Sequence, residues 1–319
     1  MKKLIISLLL ISLALLSSCS KDKIETECVT VPPVEECIDI PPPEGWTTGD
    51  HQWTKVLPYY ETPHFNSNNP NELIFRLYEN SGDQFFQLVK YNFSTQEKET
   101  IYQGDFVFPK WSKKDWILFS QSDFNFYKIK SNGDSLTQLT FSGNGAATDW
   151  NLAGDKFIYD NISNNSSIIM SENGTPLDTI EGGALSMSWQ HDSLLASMSP
   201  TWLYVQNSNS QELDFRVLQE VTNGGTTRAE WLDSNNIIWA YNEGIFKSNI
   251  ITEETTLLQE SCDAKVYEFP TVSRISNKVV FQRIDKQLIE TEVNKGTATS
   301  RMFIMNFDGS EREEIILPQ

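Results

Sequence analysis

The sequence predicts an all-β protein built from one repeated four-stranded unit, and three observations carry that prediction. First, short runs rich in Ile, Val, Phe, Tyr and Trp recur from about residue 46, bounded by Asn, Gly, Asp and Ser. Leu73-Ile74-Phe75, Trp116-Ile117-Leu118-Phe119, Phe157-Ile158-Tyr159 and Val279-Val280-Phe281 are examples. Short β-branched and aromatic runs between turn residues read as strands. Second, no window of 12 or more residues carries a helical period. Third, one position recurs: Phe65, Trp111, Trp150, Trp189, Trp231 and then Val272, at intervals of 46, 39, 39, 42 and 41 residues. A period near 40–45 with four strands per unit is the signature of a β-propeller.

Each unit opens on this aromatic and a polar turn, followed by an apolar strand, as in Trp150-Asn151-Leu152-Ala153-Gly154-Asp155-Lys156-Phe157-Ile158-Tyr159. A third strand ends in a turn, seen in Phe126 to Gly133, Ile168 to Gly174 and Met302 to Gly309. A fourth closes the unit, as in Leu136-Thr137-Gln138-Leu139-Thr140 or Thr255-Thr256-Leu257-Leu258. Six such units are expected, near 62–104, 108–143, 147–183, 186–225, 228–265 and 268–318. A further run, Trp53-Thr54-Lys55-Val56-Leu57, precedes the first, and the last unit has its own closing segment at Glu314 to Leu317. Closing the ring with strands from both ends would protect the sheet edges, and that arrangement is expected.

The pattern resembles the TolB-like propeller repeat, roughly P-x-W-S-P-D-G-x-x-I-x-F followed by I-Y-x-M-x-x-D-G and L-T. The matching copies are Pro109-Lys110-Trp111-Ser112, the Trp150 segment and Met302 to Gly309. No unit keeps the full S-P-D-G turn, Asp115 sits one place late, and Val272 replaces the aromatic. The resemblance spans about residues 60–318 and implies a six-bladed fold of four-stranded blades. It does not imply an activity, because one fold hosts many functions. TolB also carries an N-terminal α/β domain that residues 20–60 are too short and proline-rich to supply, which puts a role in the Tol system in doubt.

The N-terminus has an order of its own. Lys2 and Lys3 precede an apolar run from Leu4 to Leu16, and Ser17-Ser18-Cys19 follows. That is an export signal, shorter than the about 20 apolar residues of a spanning helix. Leu16-Ser17-Ser18-Cys19 resembles the bacterial lipobox, which implies cleavage after residue 18 and lipidation of Cys19. Ser20 carries no inner-membrane retention signal, so a lipid-anchored protein of the cell outer membrane is expected, facing the periplasm or the cell surface. Ser20 to Glu25 resembles the charged export tags of Bacteroidota surface lipoproteins. Residues 19–45 then read as a tether. Positions 20–45 hold seven acids and five prolines with few large apolar groups, too little burial to offset ordering entropy. The propeller occupies residues 46–319.

The net charge is −18, and removing residues 1–18 makes it −20. Nucleic acid is excluded as a partner, since phosphate binding needs clustered Lys and Arg. Such acidity keeps a surface soluble and monomeric. It would also suit bound Ca2+, but no motif for it is present and no cofactor is expected. Zinc is disfavoured as well, with three His in the chain and no C-x2-C or H-x3-H pair. Cys28 and Cys37 could close a small disulfide loop, and either could instead reach Cys262.

Candidate functional residues fall in two groups. The residues just before each repeat position, His64, Lys110, Asp149, Ser188, Glu230 and Thr271, form a mixed polar ring facing the central channel. The loops that lead into the innermost strands form a candidate binding surface: Gly143-Asn144-Gly145-Ala146, Gly182-Gly183, Asn223-Gly224-Gly225 with Arg228, and Asp263-Ala264-Lys265 with Tyr267. The named candidates are Asn144, Asp149, Arg228, Glu230, Lys265 and Tyr267, and the expected partner is an envelope protein or a glycan. The repeat aromatics themselves read as packing between blades. A catalytic alternative is a lyase or hydrolase with its site in the funnel. Against it, no G-x-S-x-G elbow occurs and His51, His64 and His191 are scattered over the chain. Asp134-Ser135-Leu136, Asp178-Thr179-Ile180 and Asp192-Ser193-Leu194 resemble D-[ST]-aliphatic O-glycosylation sites.

Overall fold

A computed structural model describes residues 52–79, 86–181, 186–191, 194–198, 202–207, 213–218, 228–241, 244–289 and 295–318. The export signal, Cys19, the tether, Cys28, Cys37, His51, the Gly182-Gly183 and Asn223-Gly224-Gly225 loops and the Asp192-Ser193 pair lie outside them. Cys262 is disulfide-bonded.

The described strands form five four-stranded antiparallel sheets and one five-stranded sheet. Blade I is Tyr59–Phe65, Glu72–Tyr78, Phe86–Asn92 and Glu97–Gly104, and blade II is Phe106–Trp111, Trp116–Gln121, Phe126–Lys130 and Thr137–Gln138. Blade III is Gly145–Trp150, Lys156–Asn161, Ser166–Ser171 and Pro176–Glu181, and blade IV is Ser186–His191, Leu194–Met198, Trp202–Asn207 and Leu213–Leu218. Blade V is Ala229–Trp231, Asn236–Tyr241, Gly244–Asn249 and Thr255–Glu260. Each is a meander in sequence order.

The remaining sheet corrects the expectation of six like, four-stranded units. Its first three strands are Lys265–Ser273, Lys278–Leu288 and Lys295–Asn306, the last 12 residues long. Gln52–Val56 pairs in parallel with residues 295–299 of that long strand, and Glu313–Glu314 pairs antiparallel with Phe303 and Ile304. The outer position is therefore shared by two short strands from opposite ends of the propeller. We refer to it as the closing sheet. The run beginning at Trp53 does complete it, as the edge argument expected.

The repeat aromatics fill the junctions between sheets. Trp111 packs with Ile74 and Leu88 of blade I, Trp150 with Leu118 and Phe126 of blade II, and Trp189 with Ile158 and Ile169 of blade III. Trp231 meets Leu203 and Val205 of blade IV, and Phe65 meets Val280 and Met302 of the closing sheet. A sixth cluster joins Leu232 and Ile238 of blade V to Tyr267 and Phe281 of the closing sheet. Each sheet is thus glued to the next by apolar burial, which contributes about 25 cal/mol per Å2 removed from water, and the last junction returns to blade I.

Three innermost strands carry the same irregularity. Thr62-Pro63, Phe108-Pro109 and Phe269-Pro270 place a residue at φ of 50°, 51° and 51° before a proline. The pairing register shifts at each, between Glu61 and His64, Val107 and Lys110, and Glu268 and Thr271. A β-bulge re-aims the side chains that come after it. Here those residues are His64, Lys110 and Thr271, and all three reach neighbouring inner strands.

Candidate functional site

An innermost strand is an edge strand, so the backbone N–H groups on its free side need partners. The polar ring supplies them. Thr271 Oγ1 accepts from Phe65 N at 3.4 Å and His64 Nδ1 from Trp111 N at 3.2 Å. Asp149 Oδ2 accepts from Trp189 N at 2.8 Å, Ser188 Oγ from Trp231 N at 3.2 Å and Glu230 Oε2 from Val272 N at 3.0 Å. In each case the residue before the repeat position of one sheet caps the repeat position of the next.

Lys110 is the exception. A lysine ammonium has no acceptor, so it cannot cap Trp150. Its carbonyl accepts from Trp150 Nε1 at 3.1 Å instead. Its side chain, only 2% exposed, crosses the channel, with Nζ 3.1 Å from Glu230 Oε1 and 3.3 Å from Asp149 Oδ1. Arg228 Nε approaches the same Glu230 oxygen at 3.4 Å, and its Nη1 donates to Pro63 O at 3.4 Å. Two cations and two carboxylates therefore neutralise one another in the middle of the ring.

Their titration is set by this packing. Burial pushes Glu230 up, but Lys110, His64 and Arg228 more than offset it, so its pKa falls to about 2. Asp149 is held above the ordinary aspartate value, because desolvation outweighs Lys110. His64 is driven down to about 3, chiefly by burial, with Lys110 and Arg228 acting in the same direction against Glu230. It is neutral at pH 7. Nδ1 lies 3.2 Å from Trp111 N, from which it accepts in the Nε2–H tautomer, and 2.9 Å from Phe65 O, to which it donates in the Nδ1–H tautomer. The Nε2–H tautomer points its proton toward Glu230 Oε1, 3.7 Å away.

On one side of this cluster the channel opens into a cavity of about 240 Å3. His64, Asp149, Ser188 and Glu230 form its floor, and the turns at the ends of the inner strands form its rim. In four sheets the residue after the repeat position ties its own turn. Asn66 Oδ1 accepts from Asn68 N, Ser112 Oγ from Trp116 N, Asn151 Oδ1 from Asp155 N and Ser273 Oγ from Ser276 N. The next residue reaches into the mouth: Ser67, Lys113, Leu152 and Arg274, with Ile275 beside the last. On the other side of the cluster, the Phe108 and Phe269 rings stand 6.1 Å apart.

The candidates read from sequence separate accordingly. Asp149, Arg228 and Glu230 converge with the whole polar ring. Tyr267 does not belong to a surface: it is buried in the junction with blade V, its ring 5.8 Å from Phe281. Lys265 pairs through its backbone with Cys262, and the carbonyl of Asn144 accepts from Ile162 N, so neither lines the cavity. The cavity lies at the opposite end of the inner strands from the described loops that the sequence favoured, Gly143 to Ala146 and Asp263 to Lys265. Lys113, Leu152, Arg274 and Ile275 were missed, although their signal was present. They hold equivalent places two or three residues after the repeat position. Among the described residues no group of three His, Cys, Asp or Glu side chains is placed to hold a metal ion.

No protein-family model matches the chain, and no curated protein matches it. Among solved structures it is similar to the β-propeller domain of the trilobed protease from Pyrococcus furiosus. Identity is 10% and the TM-score 0.55, over 83% of this chain and 100% of that one. It also aligns with the C-terminal WD40 domain of Sif2 (11% identity, TM-score 0.48, 82% and 97% covered). A chain of the nidogen/laminin complex aligns over a shorter span (11%, 0.46, 58% and 74%). Sheets of four strands in sequence order, junctions that return to the first blade and the archaeal propeller agree on one assignment: this chain has the β-propeller fold.

Proposed function

We propose that the chain is an exported lipoprotein, anchored at Cys19 in the outer membrane of a Bacteroidota-type envelope. In this reading its TolB-like propeller binds an envelope protein or glycan without catalysis or a cofactor. The five blades and the closing sheet act as a six-bladed ring, and the protein is a monomer. The observation that carries the binding reading is the cavity above the neutralised floor. Every charged floor group is committed to another or to a backbone N–H, which makes the floor a rigid base. Above it the rim presents side chains that differ from sheet to sheet, the arrangement that suits recognition.

The test is capture of partners from crosslinked envelopes by the full-length chain and by a Leu152→Glu/Ile275→Glu variant. Leu152 and Ile275 are exposed rim residues, so the variant should fold. Loss of a partner that the parent enriches over an unrelated lipoprotein supports the mouth as its site. Undiminished capture by the variant, or no enrichment by the parent, overturns the reading. For the anchor, Cys19→Ser should move the protein from the membrane fraction to the soluble fraction.

A further inference from the structure

We infer that the cavity is selective for an anionic, acceptor-rich group, a carboxylate, sulfate or phosphate carried by the ligand. The inference rests on the mouth being the binding site, as proposed above, and adds what the mouth selects.

Among the described residues, the charged side chains that line the cavity are Asp149 and Glu230 below and Lys113 and Arg274 above. The two below are already matched by Lys110 and Arg228. The two above are both cations, in a chain of net charge −18. The described rim turns also hold acids, and these bond within their own turns. Asp115 Oδ1 accepts from Trp111 Nε1, Asp155 Oδ1 from Asn151 Nδ2, and Asp233 Oδ1 from the backbone N–H of Asn235 and Asn236, with the Asp233 charge also acting on Arg274. None of the three lines the cavity.

The hydrogen-bonding capacity left over has the same sign. Asn66, Ser112, Asn151 and Ser273 spend their acceptors on turn N–H groups. Ser67 Oγ donates to Trp111 O. Arg274 uses only Nε, on Trp231 O, which leaves both terminal nitrogens of its fork. Lys113 is exposed, and among the described residues its ammonium has no partner. Among the described residues, what remains for a ligand is mainly donor and cationic. A guanidinium fork beside an ammonium is the arrangement that recognises planar oxyanions.

The cavity volume of about 240 Å3 falls below the roughly 300–1,000 Å3 of common small-molecule pockets. It suits one charged headgroup, such as a single acidic sugar, an acidic side chain or a phosphate. Leu152 and Ile275 on the rim would contact the part of the ligand beyond that group.

Tryptophan fluorescence of the full-length protein reads binding directly, because Trp111, Trp150, Trp189 and Trp231 line the cavity. The probes are D-glucuronate, N-acetyl-aspartate and inorganic phosphate, each anionic, with D-glucose and N-acetyl-asparagine as neutral counterparts. At least one anion should bind in preference to its neutral counterpart and weaken as sodium chloride is raised. Arg274→Gln should weaken that binding at least about tenfold and Lys113→Ala several-fold, with the urea midpoint of Lys113→Ala unchanged. Which probe binds distinguishes a sugar acid, an acidic peptide and a phosphate. Equal binding of neutral and anionic partners, or binding indifferent to both substitutions, overturns the charge inference and leaves the mouth as a binding site. Failure of all three anions to bind also overturns it, whereas the mouth itself fails if partner capture survives Leu152→Glu/Ile275→Glu or if the parent enriches no partner.

Discussion

Lys110→Met isolates the energetics of the channel. Methionine keeps the unbranched stem and most of the volume, so no large cavity forms, but the ammonium between Glu230 at 3.1 Å and Asp149 at 3.3 Å is gone. The floor passes from two cations and two carboxylates to one cation and two carboxylates. Removing one partner of a buried ion pair costs about 3–5 kcal/mol, since the other is left uncompensated. Two features favour the lower end: Arg228 still approaches Glu230, and Asp149 already holds its proton more tightly than usual. A loss of about 3 kcal/mol corresponds to a fall of roughly 5 °C in melting temperature for a propeller of this size. The sign with pH is fixed. The parent's Glu230 has a folded pKa of about 2 against 4.5, so its contribution is complete above pH 4.5 and disappears as pH falls toward 2. In Lys110→Met both carboxylates titrate higher, and the deficit relative to the parent should shrink between pH 7 and pH 4.5. Urea unfolding followed by tryptophan fluorescence measures both quantities. A deficit below about 1 kcal/mol at pH 7, or one of equal size at the two pH values, would refute the reasoning.

Other parts of the same ring make separate predictions. His64 is neutral in the fold with a pKa of about 3, whereas the unfolded imidazole takes its proton near 6.5. The parent should therefore lose up to about 1.4 kcal/mol for each pH unit below 6.5, down to about 3. His64→Gln, which keeps an acceptor for Trp111 N–H, should flatten that slope, and an unchanged slope would show that other groups carry it. Trp231 Nε1 donates to Ser188 O at 3.1 Å, whereas Trp189 Nε1 is buried with no hydrogen-bond partner among the described residues. Trp231→Phe should consequently cost about 1 kcal/mol more than Trp189→Phe in urea titrations, and equal losses would contradict the difference. A Cβ on Gly145 would fall 2.2 Å from Cε2 of Phe126, a ring held in the junction against Trp150 and Tyr159. Gly145→Ala should destabilise by about 1–3 kcal/mol through overpacking, read as an earlier unfolding midpoint.

Much of this fold was legible because its repeat is written in large residues. Five aromatics at a near-constant spacing located every junction they fill, and the residue before each located the channel ring. The composite outer strand of the closing sheet was harder to read. Glu313–Glu314 is only two residues long and carries no alternation, and the parallel partner at Gln52–Val56 is mostly exposed. The sequence could place Trp53 to Leu57 as a strand without saying which half of the long strand it would meet. The sequence pointed to the other end of the inner strands for a different reason. Glycine-rich loops look like open surface in one dimension, yet Gly145 is glycine because Phe126 occupies the space, and Tyr267, beside the Lys265 loop, turns into a junction. The rim of the cavity consists of short polar turns that look like ordinary connections. Only the geometry shows that Lys113 and Arg274 point the same way.

The ring also explains why a charged cluster exists in this channel. Five of its six positions hold a side chain able to accept a hydrogen bond, and such a ring could be built from serine and threonine alone, as Ser188 and Thr271 illustrate. Two of the accepting positions are carboxylates, Asp149 and Glu230, and a buried carboxylate needs more than one backbone N–H to offset its lost hydration. Lys110, the one position unable to cap, supplies that compensation to both at once, and Arg228 adds a second cation to Glu230. The exception to the capping pattern is thus what makes the two charged caps tolerable. Lys110 and Asp149 therefore form one unit, with Glu230 left to Arg228, and exchanging Lys110 and Asp149 together for neutral residues should cost less than exchanging Lys110 alone. Asp149→Asn keeps an acceptor for Trp189, and Glu230 stays to compensate the buried Arg228, so Lys110→Met combined with Asp149→Asn should recover much of the stability lost in Lys110→Met. A double variant less stable than the single one would mean that the two residues act independently, and that the ring holds together for some other reason.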